Sequence, residues 1–316
     1  MFVFKDKIEF ENRKNDCLTI GELLVDLIAS DEHDDANTYQ QFFGGSPANI
    51  AMNMKRLGAS PLIASSVGRD RLGDYLINHM AQNGICTKLI QRVECPTSLV
   101  LLNKSTGTPL PIFYRNADYQ LIYSEALEQE IIASKIIHFS CWSISRYPAR
   151  STVEKAIQVA RNNNVLVCFD PNYHQMLWQN GENGPQYIKD IIGQVDIIKP
   201  SEDDAERIFG QDTPANQIDK FLNLGAKLVI LTLGKDGLIV SNGNKSLKFE
   251  SLATEVADTT GAGDAFWSGF YTAIIKGYPI IDAVALGSTT SAYKLKHVGA
   301  VVNLPRLENL KDIYSL

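Results

Sequence analysis

Asp258-Thr259-Thr260-Gly261-Ala262-Gly263-Asp264 runs without a break into Ala265-Phe266-Trp267-Ser268-Gly269-Phe270. In the second half, Ala265, Phe266, Gly269, Phe270, Ala273 and Ile274 recur at the spacing of one buried helical face. The first half is a turn of small residues, so the spacing predicts a helix that opens at its end. Gly261, Ala262 and Gly263 carry almost no side chain, and their backbone N–H groups can approach an anion at the positive helix end. Asp264 puts a carboxylate beside that cradle. A cradle for developing negative charge next to a base suits transfer of a phosphoryl group to a hydroxyl. The plain alternative is capping, because the dipole favours an acid in the first turn and glycines mark ordinary turns.

Outward from that stretch, short apolar runs alternate with amphipathic helices from about residue 120 onward. Ile136 to Phe139, Val165 to Phe169, Val195 to Ile198 and Leu228 to Leu233 read as strands. Pro148 to Asn163 and the segments from Ser201 and from Pro214 read as helices. Strands without polar alternation are buried on both faces, as in a parallel sheet with helices on each side. Right-handed crossovers then bring all strand carboxyl ends to one edge, where ligands of such folds bind.

The first third differs. Ser46-Pro47 starts a helix, with Ser46 read as its N-cap, that carries Ile50, Met54 and Leu57 and stops at Gly58. Around it lie β-like pieces at 23–29, 39–43, 97–102 and 111–115 with no helices between them. These are expected to form a small sheet, a lid within 23–43 and 97–118, inserted in one domain that spans 17–316. Residues 1–16 form an extension that suits either a disordered tail or an extra edge strand.

The chain has 316 residues, a 45% hydrophobic fraction and a net charge of -6, enough for a large core and unlike a nucleic-acid or anionic-membrane binder. Five scattered cysteines contain no Cys-x-x-Cys pair, which argues against zinc and against a disulfide framework. No signal-like or membrane-spanning apolar segment stands out, so a cytoplasmic protein is expected.

Two familiar phosphate loops are absent. The stretch from Gly68 to Gly73 has P-loop glycine spacing, but Asp74 stands where lysine is required, and no Gly-x-Gly-x-x-Gly opens a helix after the first strand. Thr232-Leu233-Gly234-Lys235-Asp236-Gly237 ends a strand with a turn able to close on a phosphate or ribose, or a tight hairpin turn. Lys199-Pro200-Ser201-Glu202-Asp203-Asp204 follows another strand, and its carboxylates could hold hydrated Mg²⁺ or simply cap a helix.

Together these residues resemble the ribokinase-like (PfkB) carbohydrate kinase family, from about Leu18 to the C-terminus. Asp258 to Phe266 is similar to the family's C-terminal signature, and Gly44-Gly45-Ser46-Pro47-Ala48-Asn49-Ile50-Ala51 to its N-terminal one. The resemblance implies an α/β three-layer sandwich with a mostly parallel central sheet and a small β lid. It implies ATP and Mg²⁺, with Asp264 as the base and Gly261, Ala262 and Gly263 as the anion hole. It places a sugar pocket near Asp26, Gly44, Gly45 and Asn49, and nucleotide contacts at Lys199, Ser201, Thr232, Gly234 and Gly237. A monovalent cation, K⁺, near Asp258 and Thr260 is an optional part of that pattern. The usual Asn-x-x-Glu at the acidic helix start is here Ser201-Glu202-Asp203-Asp204, so Asp204 would reach Mg²⁺ through water.

Asp170-Pro171-Asn172-Tyr173-His174, with Tyr114-Arg115, is similar to the fructokinase and 2-keto-3-deoxygluconate kinase branch. There an arginine commonly stands in the place of His174 and meets an acidic sugar's carboxylate. A histidine lacks that permanent fork, so a neutral ketose is expected, with Asp170, Asn172, His174, Tyr114, Arg115 and Asp26 as sugar contacts. His174 suits a helix cap equally well. The expected activity is therefore an ATP-dependent fructokinase. A 2-keto-3-deoxygluconate kinase is the alternative, followed by ribokinase-type and nucleoside kinases, and more remotely by a non-catalytic sugar sensor of the same fold. An uncovered lid edge would suit a homodimer.

Overall fold

The computed structural model describes residues 2–29, 38–102 and 111–314; the parts of the expected lid at 30–37 and 103–110 lie outside the described residues. The strands are β1 (Asn15–Ile20), β2 (Leu24–Ala29), β3 (Tyr39–Gly44), β4 (Pro61–Gly68), β5 (Ile90–Val93), β6 (Leu99–Leu102) and β7 (Ile112–Tyr114). They continue with β8 (Ser134–Ser140), β9 (Leu166–Asp170), β10 (Ile197–Ile198), β11 (Leu228–Thr232), β12 (Leu238–Ser241) and β13 (Ser246–Phe249). Nine of them form one sheet in the order β13-β12-β11-β10-β9-β8-β1-β4-β5, parallel from β11 to β5. Only β12 is reversed, pairing antiparallel with β11 on one side and β13 on the other. The fold is α/β with a small separate second sheet, as the sequence implies.

The unbroken apolar runs explain the layers, because successive side chains of a strand point to opposite faces. Ile137, Phe139, Val167 and Phe169 pack with Val153 and Ile157 of the helix Ala149–Asn162 on one side. Their neighbours Ile136 and Cys168 pack with Phe266, Trp267, Phe270 and Tyr271 of the helix Ala262–Ile275 on the other. That second helix is the one the opening stretch predicts, and its apolar side chains pack against the sheet.

The second sheet has the order β3-β2-β6-β7, with β2 antiparallel to β3 and parallel to β6. The first third also contributes β1, β4 and β5 to the large sheet and a helix, Arg71–Gln82, which corrects the expectation of β pieces without helices between them. β4 is buried throughout, but Ser65 and Ser66 interrupt its apolar run. Asp70, in the stretch tested above as a phosphate loop, caps the helix by accepting from Gly73 N–H at 2.8 Å. The segment 2–14 has no strand; it docks through buried Phe4 and through Ile281 N–H to Phe4 O at 2.9 Å.

Candidate active site

The carboxyl ends of the parallel strands bring scattered residues to one edge. Glu22 follows β1, Asp170 ends β9, Lys199 follows β10 and Thr232 ends β11. The helix Ala262–Ile275 points its N-terminus at the same edge, with Gly261 as its cap. Gly261 has φ +73°, and a Cβ there would meet the Ala300 Cα at 2.7 Å, so glycine is required on both counts.

Asp264 is buried, and two groups from the start of the helix Ser46–Leu57 grip its carboxylate. Ser46 Oγ donates to Oδ1 at 2.6 Å and Asn49 Nδ2 to Oδ2 at 2.9 Å. The two signature stretches, more than two hundred residues apart, thus meet on one carboxylate. Ser46 is not the N-cap expected from the sequence. Gly45 takes that place, because the Ser46 hydroxyl is directed at Asp264 and Glu22 Oε1 accepts the Ser46 N–H at 3.0 Å. Burial pushes the Asp264 pKa up to about 6; the Ser46 and Asn49 hydrogen bonds and Lys199 pull it down, and Asp170 pushes it further up.

Around this carboxylate lies a wall of protonatable groups. Burial pushes Glu22 up to about 8 and Asp26 up to about 7, the latter helped by the charge of Asp264. Asp26 of β2 pairs with Phe42 of the neighbouring β3 strand, and its carboxylate lies against Gly44, where a Cβ would come within 2.3 Å of Oδ2. Glu22 Oε2 and Asn49 Oδ1 are buried with no hydrogen-bond partner. Buried polar atoms without partners carry a desolvation cost that the hydroxyls of a polyol can relieve. Sequence reasoning missed Glu22 and the role of Ser46; a glutamate directly after a buried strand was the available signal.

Behind Asp264, Lys199 Nζ pairs with Asp170 Oδ2 at 3.0 Å, and Trp267 Nε1 donates to the same oxygen at 2.8 Å. A Cβ on Gly263 would lie 3.4 Å from Lys199 Nζ, so the ammonium stands against the first turn of the signature helix. The arrangement sets a buried cation and a helix N-terminus on one side of a carboxylate of raised pKa, and unpartnered polar atoms on the other. It can hold an anion and take a proton from a hydroxyl.

The remaining sequence-derived residues have the following places. Arg115 is buried with all five donors engaged inside the protein: Nε and Nη2 on Asp118 Oδ2 at 2.8 and 2.7 Å, Nη2 also on Trp142 O at 3.1 Å, and Nη1 on Ser145 Oγ and Leu177 O at 2.7 and 3.1 Å. Tyr114 is exposed on the edge strand β7. His174 Nδ1 accepts from Met176 N–H at 3.2 Å, capping a short helical turn, while its ring meets the edge of Phe113 at 5.4 Å. Burial, and then Arg207, lower its pKa and so favour the neutral ring. Asn172 is exposed.

On the other side, the Asp204 carboxylate accepts from Ser201 N–H and Oγ at 2.9 and 2.7 Å and from Tyr173 N–H at 2.6 Å, closing a capping box. Ser201 bridges Thr232, and Gly234 and Gly237 form the tight connection between β11 and β12. Asp258 accepts from Thr260 N–H at 2.9 Å. Among the described residues no three acidic, histidine or cysteine side chains converge as a metal site. An Mg²⁺ ion that arrives on phosphates keeps several of its own waters and needs few protein oxygens.

The pfkB family carbohydrate kinase pattern matches residues 14–307. The ATP-dependent 6-phosphofructokinase of Thermoanaerobacterium thermosaccharolyticum is 57% identical over 318 residues, covering 100% of this chain and 99% of that protein. The solved fructokinase of Halothermothrix orenii is 39% identical with a TM-score of 0.80, over 89% of this chain and 99% of its own. An Escherichia coli protein provisionally assigned as ribokinase II, solved with ATP and Mg²⁺, is 25% identical with a TM-score of 0.84, over 96% and 99% of the two chains. Since the match takes in both halves of the site and nearly the whole sequence, the chain belongs to the pfkB family of carbohydrate kinases and is a phosphotransferase acting on a sugar.

Proposed function

We propose that this kinase transfers the γ-phosphoryl group of ATP, carried with Mg²⁺, to a primary hydroxyl of a fructofuranose. The observation that carries the reading is the Asp264 carboxylate held by Ser46 and Asn49 at the N-terminus of the signature helix. Asp264 acts as general base toward the acceptor hydroxyl, and the N–H groups of the Gly261–Gly263 turn receive the charge developing on the transferred group, those of Gly261 and Gly263 foremost because Ala262 N–H donates to Thr259 O at 3.2 Å. Glu22, Asp26 and Asn49 bind ring hydroxyls, and the small sheet acts as a lid over them. Lys199, Ser201, Thr232, Gly234 and Gly237 border the nucleotide side.

Fructose 6-phosphate is the first acceptor, supported by the 57% identical relative named for that substrate. Two arginines flank the turn at 173–177: Arg207 Nη1 donates to Tyr173 O at 3.1 Å and Arg146 Nε reaches Leu177 O at 3.5 Å. Arg146 has no carboxylate partner within salt-bridge distance among the described residues, which suits it to a phosphate. Fructose is the second reading, favoured by the acidic pocket wall, by an Arg115 with no free donor and by the 39% identical fructokinase.

ADP release measured with fructose 6-phosphate, fructose and 2-keto-3-deoxygluconate separates these readings. The expected result is the highest kcat/KM with fructose 6-phosphate, and a KM for it raised about tenfold or more by Arg146→Ala while fructose kinetics stay unchanged. Preference for the acid sugar, or silence with both fructofuranoses, would contradict the proposal.

A further inference from the structure

Under the turn that leads to Gly261 lies a buried ammonium. Lys294, in the last turn of the helix Ile280–Leu295, is wholly shielded from solvent. Its Nζ donates to the main-chain carbonyl of Asp258 at 2.5 Å and lies 3.7 Å from Asp258 Oδ2. The same aspartate accepts from Thr260 N–H through Oδ1 at 2.9 Å and from Gly299 N–H through Oδ2 at 2.8 Å. Ala257 N–H donates to Leu295 O at 2.8 Å, so the strand of chain entering the turn is stitched to the end of that helix. Burial lowers the pKa of Lys294, while Asp258 and Asp264 act in the opposite direction; the ammonium therefore senses the proposed base as well as its own partner.

A separate K⁺ at Asp258 and Thr260 would need the Asp258 carbonyl and carboxylate oxygens. The ammonium and two N–H donors already hold them, and a second cation sharing those oxygens would be repelled at short range. The donor set does not fit an additional monovalent ion. We propose that Lys294 is a tethered cation: it supplies from within the chain the single positive charge that fixes the Asp258 peptide and hence the Gly261 turn, and it makes the kinase independent of K⁺. Lys294 touches neither reactant and is a positioning residue; the inference rests on the reading of residues 261–263 as the anion hole.

The test has one arm without mutation and one with it. Wild-type turnover and Tm are measured in K⁺, Na⁺ and tetramethylammonium chlorides at equal ionic strength, alongside Tm and ATP-analogue binding for Lys294→Met. For the wild type, turnover is expected to agree within about twofold across the three salts, with Tm unchanged; activation by K⁺ of more than about tenfold overturns the proposal. Lys294→Met is expected to lower kcat with the sugar KM little changed, and K⁺ but not tetramethylammonium should restore turnover and raise Tm. A variant with wild-type turnover, or one impaired but indifferent to K⁺, also overturns it. If no sugar is turned over, the proposed function fails, while Tm and analogue binding still report on Lys294. If the variant does not fold, the wild-type arm decides.

Discussion

Asp264 is a carboxylate of raised pKa held by two neutral donors, and as the proposed base it would set the pH dependence of the reaction. A general base works in its ionised form, so kcat/KM is expected to rise with pH through about 6 and then level off. Lys199 pulls that pKa down, so Lys199→Met should move the acid limb to higher pH in a pH–rate profile of the free enzyme; a shift to lower pH would contradict the assignment. Glu22 tests the same electrostatics through stability. Its folded pKa is raised from 4.5 to about 8, so its contribution is complete below 4.5 and is lost as pH rises toward 8. Glu22→Gln keeps an acceptor for Ser46 N–H and removes the titration. Melting curves across that window should decline less with pH in the variant, and an unchanged slope would count against a buried, protonated Glu22.

At the scale of elements, the site depends on how two helices begin. Gly261 caps the signature helix in a left-handed conformation with Ala300 packed against it, so Gly261→Ala should cost about 1–3 kcal/mol by denaturant titration and reduce kcat by more than the stability loss explains. Retention of both would mean that the turn is not a fixed anion cradle. Most of these elements were legible in the sequence, because the helix starts around 46 and 261 carry proline and glycine signals and the strands β9 and β11 are built on continuous apolar runs, with β8 interrupted only at His138 within Ile136–Phe139. β4 was not legible, since Ser65 and Ser66 are polar residues on a strand buried on both faces. Ser46 has the composition of a cap, and only the tertiary approach of Asp264 redirects its hydroxyl. Lys294 shares a helical face with buried Gly287 and Thr290, a placement the spacing contains, but its partner Asp258 is visible only once the chain is folded.

Across the whole molecule, the large sheet and its helices carry Asp264, Lys199 and the glycine turn, while the small sheet carries Asp26 and Gly44. In the proposed pocket a sugar would lie between them and link the two sheets, so saturating acceptor without nucleotide should stabilise the fold by about 2.7 kcal/mol at a hundredfold excess over Kd, read as a rise in Tm. A sugar that supports turnover but leaves Tm unmoved would speak against a pocket shared by the two sheets. The base assignment ties these scales together, and one comparison examines it: single-turnover phosphorylation of fructose 6-phosphate and fructose by wild-type enzyme and by Asp264→Asn, with acceptor binding measured on both. The expected result is acceptor binding retained in the variant and a rate lowered by about 10²–10⁴-fold. A variant that binds acceptor and phosphorylates it at close to the wild-type rate would show that Asp264 is not the base.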